Sequence, residues 1–404
     1  MKNIYIINTC SRSLIYGIGT YTKQLIDVLL CTSNNITVVT LFDDQNNEIQ
    51  VNHLKGVRYI SIPNPRNAPL SIRERSVYLR NVYYSLLQYI NINEEIIFHF
   101  NNLYLKELGT MFKNNLKCKI IATLHFTDWG LSLKGNKAEL LRILQQSDSD
   151  DDLKIKQKFD AEYFFMNYIA DYIIAIATHS FETLTAIYKI PKEKISLIPN
   201  GIKDVFNIIS FKNRNSIKIF FNIPVDDKVV IFVGRLDSIK GCEYLIESFK
   251  KVLEKNSNVR LIIVGDGNIS KLMYISFPYL TRIVFTGRLS ESDLYKLYSI
   301  ADLGVVPSLH EEFGYVAIEM MMHGLPIIAN NTTGLSEIIN DKYNGELIDL
   351  KVDHSISVLS NRIIQILNDP IACKRYSHNG RMTFLEKYCL EVFNDNINKF
   401  YERI

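Results

Sequence analysis

Two pairs of charged side chains set the chemistry this chain could perform. Glu311 and Glu319 stand eight residues apart in G-V-V-P-S-L-H-E-E-F-G-Y-V-A-I-E-M-M-M-H-G-L-P-I-I-A-N, residues 304–330. Arg235 and Lys240 stand in V-G-R-L-D-S-I-K-G, residues 233–241. Two carboxylates so spaced can serve acid–base chemistry, hold a polar ligand, or be solvated surface acids. An Arg fork beside a Lys point charge suits phosphate oxygens, and Gly234 and Gly241 let backbone approach such a ligand closely. A diphosphate held there would also face the amino end of a helix starting at Cys242, where free N–H groups favour anions. A fifth candidate is His125, at the end of the apolar run 119–124 and followed by Phe126, Thr127, Asp128 and Trp129.

The local patterns say which elements must carry these groups. The apolar run 301–306 is short enough for a buried parallel strand, and Pro307 stops it. A polar loop, 308–313, holds Glu311 and Glu312. Residues 315–322 read as a helix, with Gly324 near its end and Pro326 just beyond. Residues 325–329 form the next strand. Glu311 therefore sits at the C-terminal edge of a strand, where open α/β sheets place ligands. Residues 233–241, F-T-G-R-L-S at 285–290 and A-N-N-T-T-G-L-S-E-I-I at 329–339 are further strand-to-helix turns. Four loops thus converge on one sheet edge with cations, acids and small residues.

Alternating apolar runs and helical periods fill both halves, which argues for parallel sheets covered by helices on both faces. In the first half the strands are expected at 2–8, 36–42, 57–62, 96–100, 119–124, 172–177 and 195–198. Gly17 and Gly19 precede a helix over 20–30, and prolines 63, 65 and 69 mark a loop. A longer helix spans 71–92. The pattern halts at Pro199-Asn200-Gly201, and residues 202–222 are polar and irregular. The expected organisation is an N-terminal domain, 1–200, a linker, 201–222, and a C-terminal domain, 223–385. A C-terminal helix over 386–404 packs back on the first domain.

With 404 residues, two domains are the natural expectation. A net charge of +3 gives no reason to expect nucleic acid as a partner. The six cysteines show no C-x-x-C spacing, consistent with reduced thiols and no structural zinc. The amino end does not read as a secretory signal, and no stretch approaches the roughly 18 to 20 apolar residues of a membrane span. A cytoplasmic protein is expected.

In this order the motifs resemble the retaining, nucleotide-sugar-dependent glycosyltransferases of family 4. V-G-R-L-D-S-I-K-G, F-T-G-R-L-S with L-Y-S-I-A-D-L-G-V-V-P-S, and E-E-F-G-Y-V-A-I-E carry the resemblance, with P-N-G-I at 199–202 and T-L-H at 123–125. It implies an α/β GT-B fold, two Rossmann-like domains facing across a cleft. It also implies roles. Arg235 and Lys240, beside Gly234, bind the donor diphosphate and stabilise the departing nucleotide without a metal. Glu311 holds the donor sugar with backbone amides of Phe313, Gly314 and Tyr315. Glu319 accepts hydrogen bonds from ribose, and Leu289 lies by the nucleobase. Gly17 and Gly19 lie in a glycine-rich loop near diphosphate and acceptor, and His125 lies close to the reacting sugar. The implied partners are a nucleotide-sugar donor and an acceptor with a free hydroxyl, with no cofactor. Y-G-I-G-T departs from the commoner paired glycines, Thr333 stands where a Gly often precedes Gly334, and His125 lacks a frequent following Asp.

Other readings compete. Gly17-x-Gly19 after the first strand, with Asp43 and Asp44 ending the second, suggests an NAD(P)-dependent oxidoreductase. However, Thr22 occupies the third fingerprint position, and about eight residues separate strand from first glycine, too many for the tight turn. A non-catalytic nucleotide-sugar or glycan-binding protein on the same fold is the other alternative. Asp148-Ser149-Asp150 mimics a D-x-D metal site but lies in a polar run between helices. The helix 71–92 carries Arg73, Arg75 and Arg80 among Tyr78, Tyr83, Tyr84 and Tyr89. That face could serve a peripheral contact at the inner membrane face or be a solvated basic face.

Overall fold

The computed structural model describes residues 2–11, 14, 16–66, 70–206 and 211–404. Residues 12, 13 and 15 ahead of Gly17, Pro69 of the expected loop, and 207–210 of the expected linker lie outside them. The chain forms two compact units: Met1–Gly201 together with Leu390–Ile404, and Ile202–Cys389.

The first unit is built on an eight-stranded sheet in the order β3-β4-β2-β1-β5-β6-β7-β8. Its strands are β1 Lys2–Thr9, β2 Asn35–Asp43, β3 Gln50–Leu54, β4 Val57–Pro63, β5 Glu95–Phe100, β6 Cys118–Leu124, β7 Tyr172–Ala175 and β8 Ile195–Leu197. All pair in parallel except β3, which returns antiparallel on β4. Side-chain alternation divides the core. Ile4 and Ile6 pack with Tyr21 and Leu25 of the helix Gly17–Leu29 on one face. Tyr5 and Ile7 pack with Leu79 and Val82 of the helix Ile72–Leu87, and with Leu108 and Phe112 of the helix Lys106–Asn115, on the other. Both faces are therefore dry, and the central strands read as apolar runs rather than as half-exposed alternations. The helix Leu390–Arg403 buries Phe393, Ile397, Phe400 and Tyr401 against the Ile4 face. The Lys2 ammonium donates to the Tyr401 carbonyl (2.6 Å) and the Ile404 carbonyl (2.5 Å), satisfying the end of that helix.

The second unit carries a six-stranded, wholly parallel sheet in the order β11-β10-β9-β12-β13-β14. Its strands are β9 Lys228–Val233, β10 Val259–Val264, β11 Ile283–Gly287, β12 Leu303–Val306, β13 Ile327–Asn330 and β14 Glu346–Ile348. Because every strand runs the same way, the loops after β9, β11, β12 and β13 leave one edge.

Three expectations need correction. Residues 211–220 of the expected linker form a helix, Phe211–Phe220, that belongs to the second unit. Arg214 pairs with Asp302 at 2.8 Å, and the buried Lys218 donates to the carbonyls of Val225 (2.9 Å) and Asp227 (2.7 Å). Its cations are structural partners, which is why polarity misled the sequence reading. Gly17 and Gly19 lie inside the first turns of a helix rather than ahead of one. A Cβ on Gly19 would meet the Leu14 carbonyl oxygen at 1.9 Å, so this glycine serves close backbone packing. The helix expected over 71–92 ends at Leu87, and Arg75 turns inward to the Tyr104 carbonyl (3.2 Å) and over the Phe42 ring. Only Arg73 and Arg80 of its three arginines remain exposed.

Candidate active site

In the second unit the four loops meet as their strands dictate. The Leu309 amide donates to the Ile239 carbonyl (2.7 Å), joining the loop after β12 to the loop after β9. Gly241, with φ +67, allows this approach, since a Cβ there would lie 2.0 Å from the Pro307 carbonyl oxygen. The consequence is an ion pair: Lys240 Nζ lies 2.5 Å from Glu311 Oε2, with each side chain 19% exposed. Arg235 pairs with Asp237 at 3.2 Å and remains about one-third exposed.

The loop after β13 latches the acid loop from its other side. Asn330 donates its amide to the Ser308 carbonyl (2.9 Å), and the Thr332 hydroxyl donates to the Leu309 carbonyl (3.2 Å). The Glu311 amide donates to the Thr333 hydroxyl (3.1 Å), which in turn donates to the Glu311 carbonyl. Gly334 N–H reaches that same carbonyl at 2.8 Å. Thr333, noted above as a departure, thus clamps both backbone polar groups of Glu311.

Gly314 caps the helix Tyr315–Met322 in the left-handed region, φ +106. Neither this helix nor Cys242–Lys255, capped by Gly241, has a side-chain cap hydrogen bond. Helix starts of this kind favour an anionic or polar ligand. Ala317, Ile318, Met320, Met321 and Met322 are all buried, so Glu319 is a half-buried acid on an otherwise apolar helix. The Tyr298 hydroxyl donates to Glu319 Oε2 at 3.0 Å. Burial pushes the Glu319 carboxyl up to about 7, with the Tyr298 hydrogen bond opposing and Glu291 assisting. Leu289 is half-buried after β11, beside Ser290, which caps the helix Glu291–Ile300.

In the first unit His125 follows β6 and is buried. Its Nε2 lies 3.0 Å from Asn101 Oδ1. Asn101 Nδ2 is committed to Asn8 Oδ1 (2.9 Å) and Thr22 Oγ1 (3.3 Å), so the amide oxygen accepts and His125 donates. Burial, aided by His99, holds His125 down to about 3, a neutral ring with its proton on Nε2 and a lone pair on Nδ1. Tyr21 meets its ring edge-on at 4.6 Å between centroids.

The profile of the family described as Glycosyltransferase Family 4 matches residues 15–205, and that of Glycosyl transferases group 1 matches residues 213–383. The chain belongs to the family 4 glycosyltransferases. An uncharacterized glycosyltransferase of Methanocaldococcus jannaschii is 26% identical over 394 residues, covering 96% of this chain and 93% of the relative. Sucrose-phosphate synthase from Thermosynechococcus elongatus superposes with a TM-score of 0.79 at 20% identity, over 100% of this chain and 99% of the other. The Anabaena protein HepE in complex with UDP-glucose gives 0.72 at 18% identity over all of both chains. These likenesses show the GT-B fold.

Within this glycosyltransferase the loop after β9 carries Gly234, Arg235 and Lys240, the loop after β12 carries Glu311, Phe313 and Gly314, the helix that follows carries Tyr315 and Glu319, and the Lys240–Glu311 pair joins the two loops. The D-x-D lookalike is a capping and ion-pair cluster. Arg142 pairs with Asp148 (3.2 Å) and Asp152 (2.9 Å), and Ser149 accepts from the Asp152 amide (3.1 Å). Among the described residues, Cys10, Asp43 and Asp44 place one ligand atom each within 4.8 Å of one another. Asp43 there already accepts from Ser61 and Asn46 (2.7 Å) and from the Gln45 amide (2.9 Å). Sequence reasoning missed Tyr298, which holds Glu319, and Glu162, a buried acid of the first unit. No local motif marks either, because their partners lie more than twenty residues away along the chain. Among the described residues no helix is long and apolar enough to cross a membrane.

Proposed function

We propose that this glycosyltransferase moves a sugar from a nucleoside-diphosphate sugar to a hydroxyl acceptor, with retention of anomeric configuration and without a metal. The observation that carries the reading is the Lys240–Glu311 pair on a sheet edge with two uncapped helix starts. A cation and the positive ends of two helices suit a diphosphate, and the adjoining acid suits the hydroxyls of its sugar. Lys240 and Arg235 stabilise negative charge on the departing nucleotide, a preorganised contribution worth several kcal/mol in catalytic sites. Glu311 positions the transferred sugar. Glu319 receives the ribose hydroxyls in its carboxylate form. Leu289 packs near the base, and His125, neutral, offers a lone pair to a hydroxyl near the reacting sugar. Support for a uridine nucleotide comes from HepE, which binds UDP-glucose.

The test is a screen of nucleoside-diphosphate sugars by nucleotide release, followed by mass spectrometry of the glycosylated acceptor, each in EDTA. Turnover with an α-linked product from an α-linked donor is the expected result. Donor binding without turnover under every acceptor, or an inverted product, would overturn it.

A further inference from the structure

In the second unit the helix Glu291–Ile300 presents Tyr295 and Tyr298, three residues apart and so on one side of it. The helix Tyr315–Met322 presents Glu319, with His323 four residues on at its end. The His323 ring lies 5.0 Å from that of Tyr295 and 5.4 Å from that of Tyr298, between centroids. The two tyrosine rings stack at 6.4 Å. Glu319 stands beside these rings, yet it is only half-buried.

Among the described residues one side chain donates to Glu319, the Tyr298 hydroxyl, on Oε2 at 3.0 Å. An ionised carboxylate offers about four acceptor positions, so about three remain for a ligand. Tyr298 itself is 1% exposed. Burial and Glu319 push its phenol well above the usual range, so it stays a neutral donor. A lysine there would cancel the charge of the acid. Tyrosine holds the carboxylate and leaves it an anion, the form that accepts most strongly from hydroxyls. The neighbouring charges do not replace it. Glu291 is a like charge, and Tyr295 feels Glu319 only through space. His323 is neutral, held down to about 4 chiefly by burial. Arg381, on the helix Pro370–Lys387, pairs with Asp204 and donates to the Met322 carbonyl (3.1 Å). Glu337, on the helix Thr333–Ile338, acts on Tyr388.

We propose that Tyr298 is a positioning residue that makes Glu319 selective for ribose over deoxyribose. It holds Oε2, so the acid stays aimed and its remaining lone pairs meet the 2′- and 3′-hydroxyls together. Without that bond the carboxylate turns about its last torsion, which is soft, and takes up a proton at higher pH. The proposal rests on Glu319 as the ribose acceptor in the reading above.

The probe is whichever of UDP, GDP and ADP the parent binds most tightly, with its 2′-deoxy form. Both are titrated into the full chain between pH 6 and 9, and the ratio of their affinities is read. Burial lifts the Glu319 carboxyl to about 7, and the Tyr298 hydrogen bond opposes that rise. The parent's preference for the ribonucleotide should therefore grow as pH rises through about 7, reaching about tenfold. Tyr298→Phe removes only the hydroxyl. Its profile should move alkaline by about one to two pH units, with the preference partly restored by pH 9. In a Glu319→Gln background, adding Tyr298→Phe should change the ratio by less than about twofold. A Tyr298→Phe profile that overlies the parent's overturns the proposal, even if the variant melts earlier, because packing would then be its whole role. If Glu319→Gln meanwhile abolishes the preference, the ribose reading survives that failure. A parent that binds none of these nucleotides, or binds both forms equally, overturns the ribose reading and the proposal together, as does a Glu319→Gln protein that keeps the parent's profile.

Discussion

Replacing Lys240 by Ala separates a structural ion pair from a donor-binding one. The Lys240–Glu311 pair lies between the exposed and buried extremes, at 2.5 Å with 19% exposure on each side. Exposed pairs contribute about 0.2–1 kcal/mol, and breaking a fully buried one costs about 3–5 kcal/mol. Solvent still reaches both groups, so Lys240→Ala should lower stability by only about 1–2 kcal/mol. Its effect on transfer should be larger. A charged hydrogen bond is worth about 1.5–3 kcal/mol, or roughly a tenfold to 150-fold loss in kcat/KM. The two readings then diverge in the double variant. If the pair only braces the loops, Lys240→Ala/Glu311→Ala removes both charges, leaves neither unpaired, and recovers stability and turnover together. If Lys240 binds diphosphate and Glu311 binds sugar, stability recovers while kcat/KM falls below either single variant. Nucleotide-release kinetics and chemical denaturation of the four proteins give both quantities. A kcat/KM within about threefold of the parent in Lys240→Ala would refute the assignment.

Glu319 makes a pH prediction with two opposite signs. Its carboxyl is raised from 4.5 to about 7, so the folded state binds a proton that the unfolded state has released in between. Its contribution to stability is present below pH 4.5 and lost as pH rises to about 7, while donor affinity grows over the upper part of that window as the carboxylate forms. Glu319→Gln should remove both slopes in denaturation and donor titrations; unchanged slopes would exclude Glu319 as their source. His125, held near 3, should show no NMR titration between pH 5 and 8, and a midpoint near 6 would contradict its burial. Gly314→Ala forces a Cβ into left-handed backbone, 3.0 Å from Leu335 Cδ2. It should cost about 1–2 kcal/mol in a denaturation series, with an unchanged midpoint counting against strain at this cap.

What was legible in the sequence follows from how far apart the cooperating residues lie. The strand, loop and helix around Glu311 are contiguous, so Pro307, Gly314 and Gly324 mark their ends locally, and the structure places them within a residue or two. The meeting of Lys240 with Glu311 could be anticipated because parallel strands send their loops to one edge. Glu319 was harder. Its half-burial depends on Tyr298, twenty-one residues earlier on another helix, and on the five buried apolar residues of its own helix. The helix Phe211–Phe220 was missed for the converse reason. Its lysine and arginine looked solvated, but Lys218 finds two carbonyls and Arg214 finds Asp302, 88 residues away. Polar residues mark loops only when their partners are water. When the fold itself supplies the acceptors, the same composition builds a helix, and in the first unit it builds the Asn8, Asn101 and His125 network that holds a neutral histidine at the strand edge.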